Sequence, residues 1–397
     1  MSHNRYLIVG GGMTADAAVR GIRQVDPDGS IGLISREADP PYDRPPLTKG
    51  LWKGKPLESI WRKTQAAGAD LHTGRTVQAL DVEQRRVTDD QGVDYTYEKL
   101  LLATGGTPRR LPFGDEAILY YRTVADYRRL REMADRGRRF AVIGGGFIGS
   151  EIAAALAMNG KEVVMLFPEE GIGSRMFPRD LSRFLNAVYR KKGVAVLPET
   201  TAVGFAPRGE QWELGIKDAE GPREIVVDGI VAGIGIEPNT RLAEGAGLTI
   251  ENGIVVDEYL RTSRPDIYAA GDAVSFFNPA LGRRLRVEHE DNANTMGRLA
   301  GRNMAGRAER YDHLPFFYSD LFEWGYEAVG DLNPRLDLIA DWETPNQKGV
   351  VYYLHEGRVR GVLLWNVWGQ VEAARRLIAE PGPFRPEALK GRLPEAA

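Results

Sequence analysis

Two glycine-rich turns carry the most legible chemistry in this 397-residue sequence. Gly144, Gly146 and Gly149 spell G-x-G-x-x-G directly after the apolar run Phe140–Ile143 and at the head of a helical stretch. In that context the glycines tighten the turn and let the backbone approach a pyrophosphate, and the helix N-terminus adds partial positive charge. The next apolar run, Glu162–Phe167, leads to Glu169. A carboxylate about 20 residues past the glycines can accept hydrogen bonds from a ribose. It would repel a 2′-phosphate, so NADH is favoured over NADPH at this turn. Gly10, Gly12 and Ala15 form a second such turn after Tyr6–Val9, with alanine in the third glycine's place. Where a ribose-binding acid is expected stands Arg36, followed by Glu37. Either Glu37 takes that role or Arg36 stacks on the adenine; an arginine there also suits NADP. By itself this turn says only dinucleotide.

Three further stretches favour FAD at the first turn. Pro41–Lys49 holds consecutive prolines, which fix an extended segment, and ends on Lys49. Ala103–Arg109 contains Thr104 and Gly105, and Tyr268–Asp272 is an apolar run ending in Gly271-Asp272. The Asp272 carboxylate is placed to bind the ribityl chain of a flavin.

Those turns need strands to hold them. The apolar runs Tyr6–Val9, Ile31–Ile34, Leu100–Ala103, Phe140–Ile143, Glu162–Phe167, Ile230–Ile236 and Ile267–Ala270 are short and lack polar alternation. That is the pattern of parallel strands covered on both faces. Helical stretches at Asp16–Val25 and Ser150–Asn159 alternate with them, giving the βαβ signature of a doubly wound sheet. Because Tyr6–Gly12 is echoed at Phe140–Gly146, two dinucleotide folds are expected. The end of the chain reads differently: Gly349–Leu354 and Val359–Trp365 look like an antiparallel hairpin, followed by the amphipathic helix Gln370–Ala379. The expected class is α/β, with two Rossmann-like domains and a C-terminal α+β domain. A FAD-binding domain over 1–115 and 240–307 is interrupted by a NAD-binding domain over 116–239, and 308–397 follow.

Composition narrows the function. The chain has no cysteine, which excludes a redox dithiol, a disulfide and a thiolate metal site, so electrons must travel through bound cofactors. The five histidines show no metal-ligand spacing, and no metal is expected. A formal net charge of -3 gives no broad nucleic-acid footprint. The cluster Arg128, Arg129, Arg131, Arg136, Arg138 and Arg139 reads first as a solvated helix face and second as a docking patch for an acidic redox partner. With a strand expected from Tyr6 onward and no long apolar run, neither a leader peptide nor a membrane span is expected, and the expected location is cytoplasmic.

At these motifs the sequence resembles the two-dinucleotide-binding-domain flavoprotein reductases, the ferredoxin, rubredoxin and putidaredoxin reductases among them, and in particular the apoptosis-inducing-factor-like branch. Tyr97–Lys99, Thr104–Arg109, Gly144–Glu151, Leu166–Glu169, Val287–His289, Ser319–Leu321, Gly325–Glu327 and Gly361–Asn366 carry the likeness. Only a short connection joins Leu338 to Val350, where the mitochondrial branch has a long insertion.

The resemblance implies an FAD site lined by Gly10, Gly12, Met13, Thr14, Ala15, Arg44, Lys49, Val77, Arg109 and Asp272. It implies a nicotinamide site formed by Gly145, Gly146, Phe147, Ile148, Glu169, Arg175, Gly235, Glu288, His289 and Glu327. Tyr318 stands where the mitochondrial branch has tryptophan. Relatives pair the positions of Lys49 and Glu151, implying a catalytic ion pair beside flavin N5. The N-terminus of Glu290–Met304 is expected to point at flavin N1 and O2; His289 either stacks over the ring or is structural. The implied activity is hydride transfer from NADH to FAD and onward electron transfer to a ferredoxin, rubredoxin or quinone. The alternative is a slow-turnover redox sensor that holds reduced flavin with NAD and changes its partner binding. A homodimer fits either.

Overall fold

The computed structural model describes residues 2–114 and 117–394. The expected boundary between residues 115 and 116 lies outside the described residues. The chain forms two compact units. The first comprises 1–45, 56–107 and 237–315; the second comprises 46–55, 108–236 and 316–397.

In the first unit the buried apolar runs become strands as expected of two-sided burial. Ala69–Thr73, Ile31–Ser35, Ser2–Val9 and Asp94–Leu102 lie side by side in that order, all parallel where they pair, and Ile267–Ala269 adds itself parallel to Leu100–Leu102. Arg86–Asp89 and Val77–Asp81 continue the sheet antiparallel at its other side. Tyr6, Leu7, Ile8, Leu33, Leu100, Leu101 and Leu102 are buried in one continuous core with Val19, Ile22, Met296 and Ala300 from two helices.

Those helices, Met13–Arg23 and Glu290–Met304, approach closely because small residues line their contact. A methyl on Gly301 would lie 2.1 Å from the Ala18 carbonyl, and one on Gly297 would lie 2.4 Å from the Thr14 carbonyl. Neither distance leaves room for a side chain.

The second unit repeats the parallel theme. Val194–Leu197, Glu162–Leu166, Arg139–Ile143, Gly229–Ala232 and Ile118–Tyr120 form a five-stranded sheet in that order, parallel throughout. Helices Val124–Arg136, Phe147–Met158 and Arg179–Lys191 accompany it. A three-stranded antiparallel sheet, Thr201–Arg208, Gln211–Asp218 and Gly221–Val227, was not visible in the apolar runs; most of its residues are exposed or half-buried.

The C-terminal stretch makes a five-stranded antiparallel sheet in the order Phe316–Leu321, Trp324–Gly330, Arg358–Trp365, Lys348–His355 and Asp337–Thr344. The expected hairpin is its centre, and helix Val371–Ala379 packs on strands Trp324–Gly330 and Arg358–Trp365. The short connection from Leu338 to Val350 is itself a hairpin: Leu338 pairs with Tyr353 and Asp341 with Val350. The architecture is thus two Rossmann-like sheets with an antiparallel C-terminal sheet and helix. No helix among the described residues is long and apolar enough to cross a membrane.

Candidate functional site

Each Rossmann-like sheet ends in a glycine cradle, and the two cradles share a design. In the first unit Gly10 leaves its strand at φ 130°, and a side chain there would meet the Ala103 carbonyl at 2.0 Å. The chain then turns at Gly12, which caps helix Met13–Arg23 without any side-chain hydrogen bond. The first backbone N–H groups of the helix are therefore left for a ligand. Space above Gly12 is open: the nearest atom to a methyl built there is Arg44 Nη2, at 4.0 Å. Buried Ala15 follows one turn in, where its small side chain lets the helix lie close to the sheet.

Arg44 is the organising cation of this cradle. Its Nη2 donates to Glu37 Oε1 at 2.5 Å, and its guanidinium lies over the Tyr42 ring, 5.2 Å from the centroid. Burial works against its charge, but Tyr42, Glu37 and Asp272 more than offset that and hold it above the usual arginine value. Tyr42 donates its hydroxyl to the other oxygen of Glu37 at 2.5 Å. Both Glu37 oxygens are thus engaged within the cradle, while Arg36 is exposed.

Gly271 turns at φ 84° against the start of the helix, where a methyl would lie 2.5 Å from Thr14 Oγ1. Gly12, Thr14, Glu37, Arg44, Gly271 and Asp272 therefore converge. An open helix start with a buried cation beside it fits a pyrophosphate, and an acid on the next turn fits a polyol chain, so the residues present suit FAD.

Other expected residues of this unit have partners of their own. Thr104 and Gly105 are fixed by Asn239: the Asn239 side-chain amide donates to the Thr104 carbonyl at 2.8 Å, and its backbone N–H donates to the Gly105 carbonyl at 2.9 Å. Val77 begins a bulged edge strand opposite Asp89. Glu288 accepts from Arg286 at 2.5 Å, and His289 is the N-cap of helix Glu290–Met304. The motifs did not announce Arg62. It reaches the Met13 carbonyl, Asp16, Asp43 and Asn294, tying the proline-rich stretch to both helices.

The second cradle follows the same plan. Gly144 turns at φ 118° with the Gly233 carbonyl 2.3 Å from a built methyl, and Gly149 packs so that a methyl would sit 2.0 Å from the Gly144 carbonyl. Gly146 caps helix Phe147–Met158, again without a side-chain cap, and a methyl built on it meets nothing within 4 Å. Gly145 packs on the Phe167 ring, while Ile148 is exposed at 37%. Glu169 accepts from Arg175 Nε at 2.8 Å beyond the next strand. Gly235, at φ 93°, accepts through its carbonyl from the Arg109 backbone N–H at 2.9 Å. Arg109, which the resemblance assigns to FAD, thus lies in the second unit with Gly235.

Lys49 and Glu151 meet in this unit. Lys49 Nζ lies 2.7 Å from Glu151 Oε1 and 5.3 Å from the centre of the Tyr318 ring. Glu151 is nearly inaccessible, its side chain 4% exposed. It accepts two more donors, both inside stretches singled out above but without a role assigned there: Thr48 Oγ1 to Oε2 and Ser319 Oγ to Oε1, both at 2.5 Å. Thr48 adjoins the one expected partner and Ser319 adjoins Tyr318, so adjacency to marked residues was the available signal. Burial pushes the Tyr189 and Tyr326 phenols far up, with the Glu151 charge adding to it, so both stay neutral beside the carboxylate. Glu327 pairs across the sheet with Tyr318. Burial raises its carboxyl above the ordinary glutamate range, against a hydrogen bond from the Gly369 N–H.

Known proteins share this chain's sequence and fold. The family model for pyridine nucleotide-disulphide oxidoreductases matches residues 4–297. The C-terminal model of the mitochondrion-associated apoptosis-inducing factor matches residues 340–380. The chain is 36% identical to apoptosis-inducing factor 1, mitochondrial, of Dictyostelium discoideum, over 94% of this chain and 78% of that protein. It is 33% identical to the ferredoxin–NAD(+) reductase component of the anthranilate 1,2-dioxygenase system of Burkholderia cepacia, over 98% of this chain and 97% of the other. Among solved structures, the covalent putidaredoxin reductase–putidaredoxin complex superposes with a TM-score of 0.89 at 30% identity, covering 98% of this chain and 95% of that one.

Proposed function

We propose that this chain, which belongs to the pyridine nucleotide-disulphide oxidoreductase family, transfers hydride from NADH to FAD and passes the electrons to an iron–sulfur protein or another small acceptor. Within the family it is an apoptosis-inducing-factor-like flavoprotein reductase with two dinucleotide-binding domains. It is an FAD-dependent NAD(P)H oxidoreductase, with FAD and NAD(H) as its cofactors. The family name includes a disulphide, but the chain holds no cysteine, so the dithiol branch of that chemistry is closed to it.

One observation carries the proposal: Gly12 and Gly146 each cap a helix with no side chain of their own and with open space above. In this reading residues 1–115 and 240–307 hold FAD, and 116–239 hold the nicotinamide nucleotide. When bound, the flavin supplies the hydride-accepting N5 and the nicotinamide supplies the hydride at C4. The protein's part is position and field. Backbone N–H groups of the two helix starts and the Arg44 guanidinium hold the pyrophosphates. Asp272 accepts from the ribityl chain, and Glu169 from the adenosine ribose. Lys49 would supply a cation that favours the reduced form of the flavin, and Glu151 holds that ammonium at 2.7 Å. The N-terminus of Glu290–Met304 would act in the same sense.

Rapid mixing with NADH tests this. Lys49→Ala is expected to slow bleaching of the flavin by at least about tenfold, roughly 1.4 kcal/mol of barrier, with the FAD content unchanged. An unaltered rate would remove Lys49 from the mechanism. The iron–sulfur acceptor is supported by the names of two similar proteins, a ferredoxin–NAD(+) reductase component and putidaredoxin reductase. Likeness to apoptosis-inducing factor favours a second reading, in which reduced flavin and NAD stay together and alter partner binding. Addition of a reduced-flavin acceptor separates the two: prompt reoxidation by a ferredoxin supports the reductase, and a long-lived complex that no acceptor discharges supports the sensor.

A further inference from the structure

We infer that the hydroxyls of Thr48 and Ser319 are positioning residues which, by gripping both oxygens of Glu151, set the direction of the Lys49 ammonium; the inference rests on the placement of Lys49 given above. The argument starts from the flexibility of the two charged side chains. A lysine ammonium is a point charge on a four-carbon stem with three rotatable donors, and a single contact to a carboxylate does not fix where it points. A glutamate holding only that lysine is free to turn its carboxylate as well.

Here the carboxylate cannot turn. Oε1 takes Lys49 Nζ at 2.7 Å and Ser319 Oγ at 2.5 Å, while Oε2 takes Thr48 Oγ1 at 2.5 Å. Rotating the group breaks at least one bond to a charged acceptor whose side chain is only 4% exposed, where a lost partner is poorly replaced by water. The donors also come from parts of the chain that are separately anchored. Thr48 and Lys49 sit on a short segment held where Tyr121 OH and Trp52 Nε1 both donate to the Leu47 carbonyl, at 2.6 and 2.9 Å. Ser319 lies on a strand of the C-terminal sheet, next to the tyrosine over which the ammonium lies.

The chemical type of the two donors matters as much as their place. The ionisable groups facing Glu151 are Lys49 on its short segment, Tyr189 on helix Arg179–Lys191 and Tyr326 on strand Trp324–Gly330. Both phenols are neutral. Two hydroxyls orient the carboxylate without adding charge, so the ion pair keeps Lys49 as its cation. An arginine or a second lysine in either place would compete for the same oxygens and weaken the hold on Lys49.

The test uses the full-length protein with FAD bound, as Thr48→Val, Ser319→Ala, the double variant and Thr48→Ser. Valine keeps the volume of threonine and alanine that of serine less one atom, so the fold is retained; Thr48→Ser keeps the hydroxyl. Two measurements are made. In protein labelled with ¹⁵N-lysine, the Lys49 ammonium, assigned with Lys49→Arg, is followed by the exchange of its protons with water. In rapid mixing, flavin reduction by NADH is timed across NADH concentrations.

The expected result is about tenfold faster proton exchange for each lost hydroxyl, from the usual strength of a hydrogen bond to a charged group. A reduction rate lowered about tenfold in the double variant should accompany it, with the NADH concentration at half-saturation unmoved and Thr48→Ser close to the parent. Exchange that stays at the parent rate in the double variant overturns the inference, whatever the reduction rates do. Because exchange is read without NADH, faster exchange with an unchanged reduction rate keeps the grip of Thr48 and Ser319 and removes only the placement of Lys49 beside the flavin.

Discussion

In the proposed nicotinamide-nucleotide site, Glu169 with Arg175 would let one side chain decide which nucleotide is accepted. The Arg175 guanidinium donates through Nε and Nη2 to a single Glu169 oxygen, at 2.8 and 2.7 Å, and its side chain is 82% exposed. The carboxylate neutralises that cation, and in the proposed site it would repel a 2′-phosphate. Glu169→Ala removes the repulsion and releases the guanidinium together. The ratio of kcat/KM for NADPH over NADH is expected to rise by about tenfold or more, each tenfold being about 1.4 kcal/mol. A ratio that stays put would show the ribose to be held elsewhere.

Glu327 makes a second prediction, this time for stability. Burial raises its carboxyl above the ordinary glutamate value, so the folded protein binds this proton more tightly than the unfolded chain does. Stability from this group is fully present below the ordinary glutamate range and is lost as pH rises through the elevated folded value. Denaturant titrations at a series of mildly acidic pH values should show Glu327→Gln without that decline; parallel curves for parent and variant would refute it. At this scale the sequence was most legible where spacing encodes backbone geometry. The glycine positions could be read because tight turns exclude side chains. The roles of Thr48, Ser319 and Arg62 could not, because partners of each lie far along the chain, so that even a marked stretch does not say what its hydroxyl or guanidinium will meet.

Between secondary-structure elements, the contact of Met13–Arg23 with Glu290–Met304 is the most demanding in the first unit. Its tolerance is set by glycines whose missing side chains leave no volume at all. Gly301→Ala places a methyl 2.1 Å from the Ala18 carbonyl and 2.9 Å from the Ile22 nitrogen, both backbone atoms that cannot rotate away. The helices must separate, and overpacking of this kind costs about 1–3 kcal/mol. Thermal unfolding should show Gly301→Ala melting several degrees below the parent, with weaker FAD retention, because the first of these helices begins at the cradle. Melting at the parent temperature would mean that the pair yields more easily than its spacing suggests. Parallel strands were legible because burial on both faces gives unbroken apolar runs. Both α-helices of the cradles begin three residues before the stretches read from sequence, at Met13 and Phe147. The glycine caps explain the difference, since Gly12 and Gly146 offer no polar side chain to mark a helix start. Strands Thr201–Val227 were missed for the opposite reason to the parallel ones: partial exposure breaks up their apolar pattern.

For the whole molecule, the echo of Tyr6–Gly12 at Phe140–Gly146 was enough to foresee two Rossmann-like sheets, and the absence of cysteine was enough to direct electrons through bound cofactors. The acceptor was not legible, because a docking surface is made of scattered exposed residues whose proximity only folding decides. The division of the chain was partly hidden too, since residues 46–55 group with the second unit although the stretches on either side of them group with the first.

That interleaving has a consequence for how the protein is made. Glu151 is joined by donors 103 residues before it and 168 residues after it. As the chain leaves the ribosome, the first grip is available early, but the second must wait for nearly the whole message to be translated. Until Ser319 emerges, a carboxylate destined for a dry interior stands half-secured. Nascent polypeptides truncated before that point should therefore leave helix Phe147–Met158 open to protease, and completion of the last sheet would be the event that closes it.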